Sequence, residues 1–457
     1  MPPPRLSALL LVLPFIALFY LSRTKEDRPP SRITSVSSKQ GGQAAFVNQN
    51  VLVNPAASHQ AQPAIVTDTP LSQRIVAVGD IHGDLPRMAA VLRRAEIIDL
   101  KGQWIGGETI LVQTGDIVDR GKDTIAIYRF FQSLRVQADK AGGAVISLLG
   151  NHEIMNALGD WRYVTPEDIA SFGGERNRHE AMLTGWIGQE WRANYSITAR
   201  VPYLVSSFPP GVPITHFPST PAGRGDQRFL SEPSSSSKKG DEEDPFAYSA
   251  ASFVHGGITP EYLSSLHTDR PVERINSIGS SIMFSLLHSP PAPLSLPRGS
   301  TPEQLEFWSE RGPMWNRDWA LEEEDEICER VEEAKRILKV RRLVMGHTPQ
   351  FEGITARCGG SVLLIDTGIS RAYDGPLSAL EILHTLTPSS SLPLSDALAF
   401  GLVELNDPRP EETLRRKAEE AGRIKWAERE VVNALYTEGE KTVELARTER
   451  VVELPVR

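Results

Sequence analysis

Three apolar segments of the chain each end in a short turn that carries potential metal ligands. The turns read GDIHGD at 79–84, GDIVDRG at 115–121 and GNHE at 150–153. The apolar segments before them predict buried strands at 74–79, 109–114 and 144–149. Apolar residues at spacings of three and four predict amphipathic helices at 85–95 and 123–140, between these strands. Alternating strands and helices predict a parallel sheet with right-handed crossovers, so the three turns lie at one edge of it.

Two further apolar segments end in a histidine beside glycine, at His255 and His347. Together the strand ends present six side chains of metal-ligand type. These candidate ligands are Asp80, His82, Asp116, Asn151, His255 and His347. A mixture of carboxylate, imidazole and amide donors suits divalent ions of borderline hardness, such as manganese, iron or zinc. We therefore expect two ions that share Asp116, with Asp80 and His82 on one ion and the remaining three side chains on the other.

Arginine side chains near these turns fit the binding of a phosphate group. Two ions held ~4 Å apart by a shared carboxylate activate water and bind phosphate oxygens, and a planar guanidinium neutralises the remaining charge. Arg120, four residues after Asp116, is the first candidate for that contact. Arg311 or Arg317 can supply a second one, and Asn151 is placed to contact the phosphate as well as an ion. The predicted chemistry is hydrolysis of a phosphate ester.

The leaving group of that reaction needs a proton, and His152 is the candidate donor. It directly follows Asn151, so its imidazole lies beside the same site. Asp119 can orient this imidazole and raise its pKa, as the carboxylate of a catalytic triad does. Asp84 needs no ligand role, and we expect it to cap the helix that begins near Leu85.

Charge and the N-terminal segment limit the partners and the location. The formal net charge of -9 gives no support to a nucleic-acid partner. Residues 6–22 contain no charged side chain, which predicts a signal peptide or a short signal anchor within 1–23. The protein is therefore expected in a membrane of the secretory pathway, or secreted if the segment is cleaved. Basic residues flank the segment on both sides and leave its orientation undecided.

Composition divides the rest of the chain into three parts. Residues 24–72 are rich in Ser, Gln, Pro and Ala and predict a flexible stalk. Residues 73–407 are expected to form the catalytic domain, in which the Pro- and Ser-rich segment 209–245 is a mobile insertion. Residues 408–457 are dominated by Glu, Arg, Lys and Ala, and predict a charged helical tail.

The cysteines and a glycosylation sequon bear on the cellular compartment of the protein. The chain has two cysteines, Cys328 and Cys358, which allow one disulfide at most and no disulfide framework. The tripeptide that begins at Asn194 reads NYS, a glycosylation sequon that is usable only if this part of the chain is lumenal. Oligomeric state is not predicted by any of these patterns.

The motifs resemble, in their order, those of a known enzyme family. GDIHGD, GDIVDRG, GNHE, HGGI at 255–258 and GHT at 346–348 are similar to the motifs of the phosphoprotein phosphatase superfamily of calcineurin-like, binuclear metallophosphoesterases. RGPMWNR at 311–317, IDTGIS at 365–370 and YDGPLSALEI at 373–382 more specifically resemble the Shewanella-like protein phosphatase branch. The resemblance spans residues 74–384.

This resemblance implies an α/β fold, with a central β-sandwich flanked by helices and a metal site on loops at the strand ends. It implies direct attack on phosphorus by a hydroxide that bridges the two metals, and it agrees with the roles given above to the six ligands, His152, Asp119 and Arg120. The RGPMWNR segment stands where eukaryotic serine/threonine phosphatases carry a different arginine-bearing segment. We therefore prefer Arg317 as the second phosphate contact, with Arg311 as the alternative.

Three functions agree with these observations. The first is a protein phosphatase acting on phospho-Ser, phospho-Thr or phospho-Tyr, since some members of the resembled branch favour phosphotyrosine. The second is a small-molecule phosphohydrolase, such as a diadenosine tetraphosphatase or a pyrophosphatase, because related enzymes share the first three motifs. The third is a non-catalytic, membrane-tethered binding protein, which the complete set of candidate ligands disfavours. Phosphopeptides assayed against dinucleoside polyphosphates distinguish the first two.

Overall fold

The computed structural model describes residues 70–203, 246–288, 294–404, 406–409, 412 and 423–455. The predicted membrane segment at 1–23, the stalk up to residue 69 and the insertion at 209–245 lie outside these residues. In the part of the chain that is described, no helix has both the length and the apolar content needed to cross a bilayer.

The described residues form strands and helices that alternate from β1 to α3, and longer runs of helices and of strands follow. The strands are β1 (Leu71–Val78), β2 (Ile110–Gln113), β3 (Ala144–Leu148), β4 (Tyr195–Ser196), β5 (Thr198–Pro202), β6 (Ala250–Val254), β7 (Arg342–Met345), β8 (Thr355–Arg357), β9 (Val362–Leu364), β10 (Ser378–Pro388), β11 (Arg423–Tyr436) and β12 (Thr442–Pro455). The helices are α1 (Leu85–Arg94), α2 (Thr124–Lys140), α3 (Asn151–Ala157), α4 (Pro166–Ser171), α5 (Glu175–Leu183), α6 (Trp186–Asn194), α7 (Pro260–Ser265), α8 (Pro271–His288), α9 (Pro302–Phe307), α10 (Asp318–Leu321), α11 (Glu324–Leu338) and α12 (Leu394–Ala399).

The strands form two sheets. One sheet has the order β12-β11-β10-β1-β2-β3-β4, and the other has the order β5-β6-β7-β9-β8. Strands β1 to β4 are parallel to one another, and so are β6, β7 and β9, whereas β10 to β12 add an antiparallel half to the first sheet. The predicted α/β architecture is confirmed, and the antiparallel strands β10 to β12 extend the parallel sheet that the apolar segments predict.

The hydrophobic core lies on both faces of the sheets. Ile75 and Ala77 of β1 belong to one buried cluster, which also contains Phe253 of β6 and Val344 of β7 and therefore fills the space between the two sheets. The alternate residues Val76 and Val78 belong to a second cluster shared with helices such as α1 and α2. Because side chains alternate along a strand, a continuous apolar run is needed where both faces are covered, and this explains the unbroken apolar segments in the sequence.

The predicted charged helix at 408–457 is wrong for the described part of this segment. Residues 423–436 and 442–455 instead form the hairpin β11–β12, which pairs with β10 at the end of the first sheet. Two of the inward-facing positions of β11 are charged, since Glu428 and Glu430 are 1% and 0% exposed. They pair with Arg341 and Arg342 at the start of β7. Because these buried positions are charged, the segment lacks the alternation of apolar and polar residues that indicates a strand. The hairpin also extends the catalytic domain past the predicted boundary at 407.

The two cysteines form one disulfide. Cys328 of α11 is bonded to Cys358, which follows β8, with 5.4 Å between their Cα atoms. The bond joins a helix to the small sheet across 30 positions of sequence. One bridge was the most that the sequence allowed, and the fold forms it.

Candidate active site

The six predicted ligands meet where strands of the two sheets end. Asp80 and His82 follow β1, Asp116 follows β2 and Asn151 begins α3 after β3, while His255 and His347 follow β6 and β7 of the other sheet. Each of these residues is at most 5% exposed. The site therefore lies between the edges of two sheets, and neither sheet alone supplies all of it.

Asp116 lies at the centre of this group. Its Oδ2 is 3.4 Å from Nε2 of His255 and 3.7 Å from Nε2 of His82. Two sets of donor atoms can each hold a metal ion, one formed by His82, Asp116 and His152 and the other by Asp116, His255 and His347. Asp116 is common to both sets, which is the position required of a carboxylate shared by two ions.

Hydrogen bonds orient the imidazoles toward this centre. Nδ1 of His82 donates to the carbonyl oxygen of Val118 at 2.9 Å, and Nδ1 of His255 donates to that of Thr114 at the same distance. With the proton on Nδ1, Nε2 of each ring faces the centre as a possible metal ligand, as in ligating histidines of metalloproteins. Nε2 of His347 is buried and has no hydrogen-bond partner among the described residues.

The charges of this donor set favour a cation. Burial and the nearby His152 lower the pKa of His82 to about 3, so this imidazole is neutral and available at pH 7. Burial, together with the carboxyl groups of Asp366 and Asp116, raises the pKa of Asp80 well above its ordinary value. Positive charge at the centre would relieve this crowding of carboxylates. The donor types, the orphaned His347 nitrogen and the crowded carboxyls all fit divalent metals.

The ligand-bearing turns combine strained backbone with close approaches of the chain. His82, Asp116 and His347 have φ values of 43°, 56° and 69°, in the left-handed region that L-residues rarely adopt and that clusters at functional sites. The chain must also pass close to itself. A Cβ at Gly150 would lie 2.0 Å from Oδ1 of Asp116, so any larger residue there would displace this carboxylate.

Asp366 is a buried site residue that the sequence analysis left out. It follows β9, is 1% exposed and faces the carboxyl group of Asp80. Burial raises the pKa of Asp366 to about 6, and Asp116 adds to this effect. The signal available in the sequence was its setting, since IDTG is another strand end followed by glycine.

Glu153 is the second residue that was missed. Its carboxylate accepts hydrogen bonds from the backbone N–H of Gly150 at 2.7 Å, and from those of Asp116 and Ile117 at 2.9 Å each. It therefore joins the turn after β2 to the turn after β3. Its place three residues after Gly150, as in a capping box, was the signal that could have identified it.

His152 and Asp119 form a hydrogen-bonded pair beside the donor set. Nδ1 of His152 lies 2.7 Å from Oδ2 of Asp119, and Nε2 of His152 lies 3.8 Å from Oδ2 of Asp116. Burial opposes the charged imidazolium, but Asp116 and Asp119 raise the pKa of His152 above its ordinary value. A histidine in this setting can hold a proton at neutral pH close to the metal-ligand cluster.

Arg120 lies between two aromatic rings at the mouth of the site. Its guanidinium carbon is 4.5 Å from the ring centre of Tyr163 and 4.8 Å from that of Tyr373. These rings in turn contact His152 and His82, with centres 5.0 Å and 5.6 Å apart. Cation–π contacts with both rings restrict the position of the guanidinium. Its Nε is buried without a hydrogen-bond partner in the described chain.

The structure distinguishes between Arg311 and Arg317, the two candidates for the second phosphate contact. Nη1 of Arg317 donates to the carbonyl oxygen of His347 at 2.9 Å and to Oγ1 of Thr348 at 3.0 Å. The side chain of Arg311 is 79% exposed and pairs with Glu306. Arg317 thus lies beside a predicted ligand, and Arg311 is not brought to the site.

Comparison with known proteins agrees with this geometry. Residues 73–351 match the family model described as calcineurin-like phosphoesterase. The chain belongs to the calcineurin-like phosphoesterase family. Members of this family are metal-dependent, and this protein is accordingly a metal-dependent phosphoester hydrolase.

Individual relatives place it more closely within the calcineurin-like phosphoesterases. It is 36% identical over 321 residues to an uncharacterized protein of Schizosaccharomyces pombe, covering 69% of this chain and 79% of that protein. It is 30% identical to Shewanella-like protein phosphatase 2 of Arabidopsis thaliana, covering 68% and 75% of the two chains. The fold is similar to that of a mutant cold-active protein tyrosine phosphatase, with a TM-score of 0.50, 20% identity and coverage of 82% and 80%.

Proposed function

We propose that the protein is a protein phosphatase, which hydrolyses phosphate esters of Ser, Thr or Tyr side chains with two divalent ions bound. The observation that carries this proposal is that Asp116 belongs to both donor sets and lies beside His152, whose other ring nitrogen is held by Asp119. The similarity to Shewanella-like protein phosphatase 2 extends over most of the chain and supports a protein substrate.

Asp80, His82 and Asp116 would hold one ion, and Asp116 with Asn151, His255 and His347 the other. Oδ1 of Asn151 lies 2.7 Å from Nε2 of His255, which supports placing both side chains on the same ion. Manganese, iron and zinc suit this mixture of donors. When bound, such ions lower the pKa of water and neutralise the charge of the phosphate.

The protein's own side chains bind the phosphate and supply the proton. Arg120, held by contacts with the rings of Tyr163 and Tyr373, binds phosphate oxygens with its guanidinium. Arg317 does the same from the His347 side, and Asn151 contributes an amide. His152 donates a proton from Nε2 to the departing oxygen, while Asp119 holds its Nδ1.

The aromatic rings beside Arg120 favour phosphotyrosine among the three phosphoamino acids. Tyr163 is 37% exposed and can pack against the ring of a bound phosphotyrosine.

Matched peptides that differ only in the phosphorylated residue test this preference, with manganese, iron or zinc added in turn. Turnover of dinucleoside polyphosphates or pyrophosphate without turnover of any phosphopeptide would favour the small-molecule alternative. Absence of both bound metal and activity on aryl phosphates would favour the non-catalytic one.

The location proposed for the protein is the secretory pathway, anchored by the segment within 1–23 if it is retained and secreted if it is cleaved. The disulfide between its only two cysteines supports an oxidising compartment. Asn194, at the end of α6, is half-buried, which leaves part of its side chain open to glycosylation.

Expression of the full chain in eukaryotic cells tests this location. A lumenal domain predicts a mass loss on peptide N-glycosidase treatment, which Asn194→Gln abolishes. The control Asn177→Gln, at an exposed asparagine outside any sequon, retains the loss. A protein with free thiols and no glycan contradicts the proposed compartment.

A further inference from the structure

A buried arginine lies directly behind the His152–Asp119 pair. Arg178 belongs to α5, in the helical segment that follows the GNHE turn, and is 0% exposed. Its guanidinium lies 4.9 Å from the ring centre of Trp161 and 5.7 Å from that of Phe172. Burying a guanidinium is costly unless its hydrogen bonds are satisfied, so its contacts indicate what it does there.

Arg178 is anchored on one side and faces Asp119 on the other. Its Nε donates to Oδ2 of Asp168 at 2.7 Å, and its Nη1 donates to Oδ1 of Asn156 at 2.7 Å. Its Nη2 lies 3.5 Å from Oδ1 of Asp119 and has no hydrogen-bond partner among the described residues. Nη2 of Arg178 therefore directs positive charge at the carboxylate of Asp119, which holds His152.

Asn156 connects this arginine to the catalytic pair. Its Nδ2 donates to Oδ1 of Asp119 at 2.9 Å and to the carbonyl oxygen of His152, also at 2.9 Å. An arginine can only donate hydrogen bonds, so Arg178 requires the oxygen of the Asn156 amide on its side. This fixes Nδ2 on the side of Asp119. The reversed amide would place an oxygen against the Asp119 carboxylate.

We propose that Arg178 is a positioning residue for the proton-transfer step, which fixes Asp119 through Asn156 and thereby holds His152 in line with the leaving group. It touches neither substrate nor metal ligand in this scheme. The inference rests on the proposed role of His152 as the proton donor. It extends the active site to α5, outside the five strand-end turns.

The test compares Arg178→Lys with the wild type in the full chain. Lysine keeps the charge but cannot reproduce a fork that contacts Asp168 and Asn156 together. Loss of proton donation affects poor leaving groups most. We therefore expect kcat to fall about tenfold more for phenyl phosphate than for p-nitrophenyl phosphate, with metal content unchanged. Arg176→Lys, at an exposed site on the same helix, should behave as the wild type.

A double-mutant cycle distinguishes positioning from a general structural effect. Arg178→Lys should lower kcat no further when Asp119→Asn is already present, because it acts through Asp119. Equal losses of kcat on both substrates, or losses that multiply in the double mutant, would overturn the proposal. If thermal unfolding shows that Arg178→Lys is not folded, Asn156→Ala takes its place. Its kcat should also fall more for phenyl phosphate than for p-nitrophenyl phosphate. An equal fall on both substrates would count against the proposal.

His152→Asn, assayed on the same two substrates, distinguishes failure of the proposed role of Arg178 from failure of the proposed role of His152. An even loss with His152→Asn refutes its role as proton donor, and with it the proposed mechanism. A graded loss with His152→Asn and an even loss with Arg178→Lys refute only the role of Arg178.

Discussion

The backbone N–H of His347 donates a hydrogen bond to Oδ1 of Asp80 at 3.2 Å, across 267 positions of sequence. Asp80 follows β1 of the seven-stranded sheet, and His347 follows β7 of the five-stranded sheet. The donor atoms of the site thus come from both sheets, and metal binding should hold the two sheets together.

Removal of metal should therefore lower thermal stability. Metal present at about 100 times its dissociation constant stabilises a protein by about 2.7 kcal/mol, which corresponds to a shift of about 3–4 °C in a protein of this size. Chelation should lower the Tm of the wild type by that amount. Asp116→Asn should lose metal and show no such shift, while Asp325→Asn, exposed on α11, retains both. Unchanged metal content in Asp116→Asn would refute the shared-ligand role.

His152→Asn should keep its metals and lose activity in proportion to the need of the leaving group for a proton. We expect a loss of about 10²–10⁴ in kcat for an alkyl phosphate such as phosphoserine and a smaller loss for p-nitrophenyl phosphate. Steady-state kinetics with metal analysis on the same samples measure both. Similar losses on the two substrates would argue against proton donation by this imidazole.

Arg317→Ala should weaken phosphate binding, and Arg311→Ala should not. A charge-assisted hydrogen bond contributes about 1.5–3 kcal/mol, so kcat/KM should fall about 10- to 150-fold for Arg317→Ala, with weaker inhibition by inorganic phosphate. Arg311 is the matched control, because it is in the same segment but pairs with Glu306 at the surface. A larger effect at Arg311 would reverse the assignment.

The C-terminal hairpin should make stability sensitive to acid. Burial opposes ionisation of Glu430, but Arg342 and Arg341 hold its pKa below its ordinary value of 4.5. A carboxyl group with a lowered folded-state pKa stabilises the fold above its unfolded-state pKa, and this contribution is lost as the pH falls through the folded-state value. The free energy of unfolding should thus decrease below about pH 4.5.

Glu430→Gln tests that linkage. It should reduce the acid dependence and cost about 3–5 kcal/mol at pH 7, because Arg342 loses its buried carboxylate partner. Urea denaturation followed by circular dichroism at several pH values measures both effects. Glu438→Gln, at an exposed position of the turn between β11 and β12, should leave the profile unchanged. A wild-type profile that is flat between pH 3 and pH 6 would contradict the linkage.

Local features of this protein were predictable because they depend on neighbours in sequence. The end of β3 and the beginning of α2 fall within one residue of the predicted bounds. Asp84 caps α1 as expected, with Oδ1 accepting from the backbone N–H of Arg87 at 3.2 Å. The six candidate ligands could be chosen because each follows an apolar segment directly, and the carboxyl ends of parallel strands share an edge.

Residues that act through distant partners were not predictable in this way. Asp366 and Glu153 matter because of the carboxyl or backbone groups they face, and these lie on other turns. The hairpin β11–β12 was mistaken for a helix because Glu428 and Glu430 occupy buried positions that a sequence pattern assigns to apolar residues.

The sequence by itself determined the turn chemistry, the helix and strand periods and therefore the kind of reaction. Tertiary structure alone decided how the second sheet completes the site, which arginine lies beside His347, and that a charged segment can be a buried strand. The physical reason is that burying a charge is costly without a partner. For Glu430 that partner, Arg342, lies 88 positions away in the sequence, and only the folded chain brings the two together. In the same way the fold alone places Arg178 beside Asp119, 59 positions away.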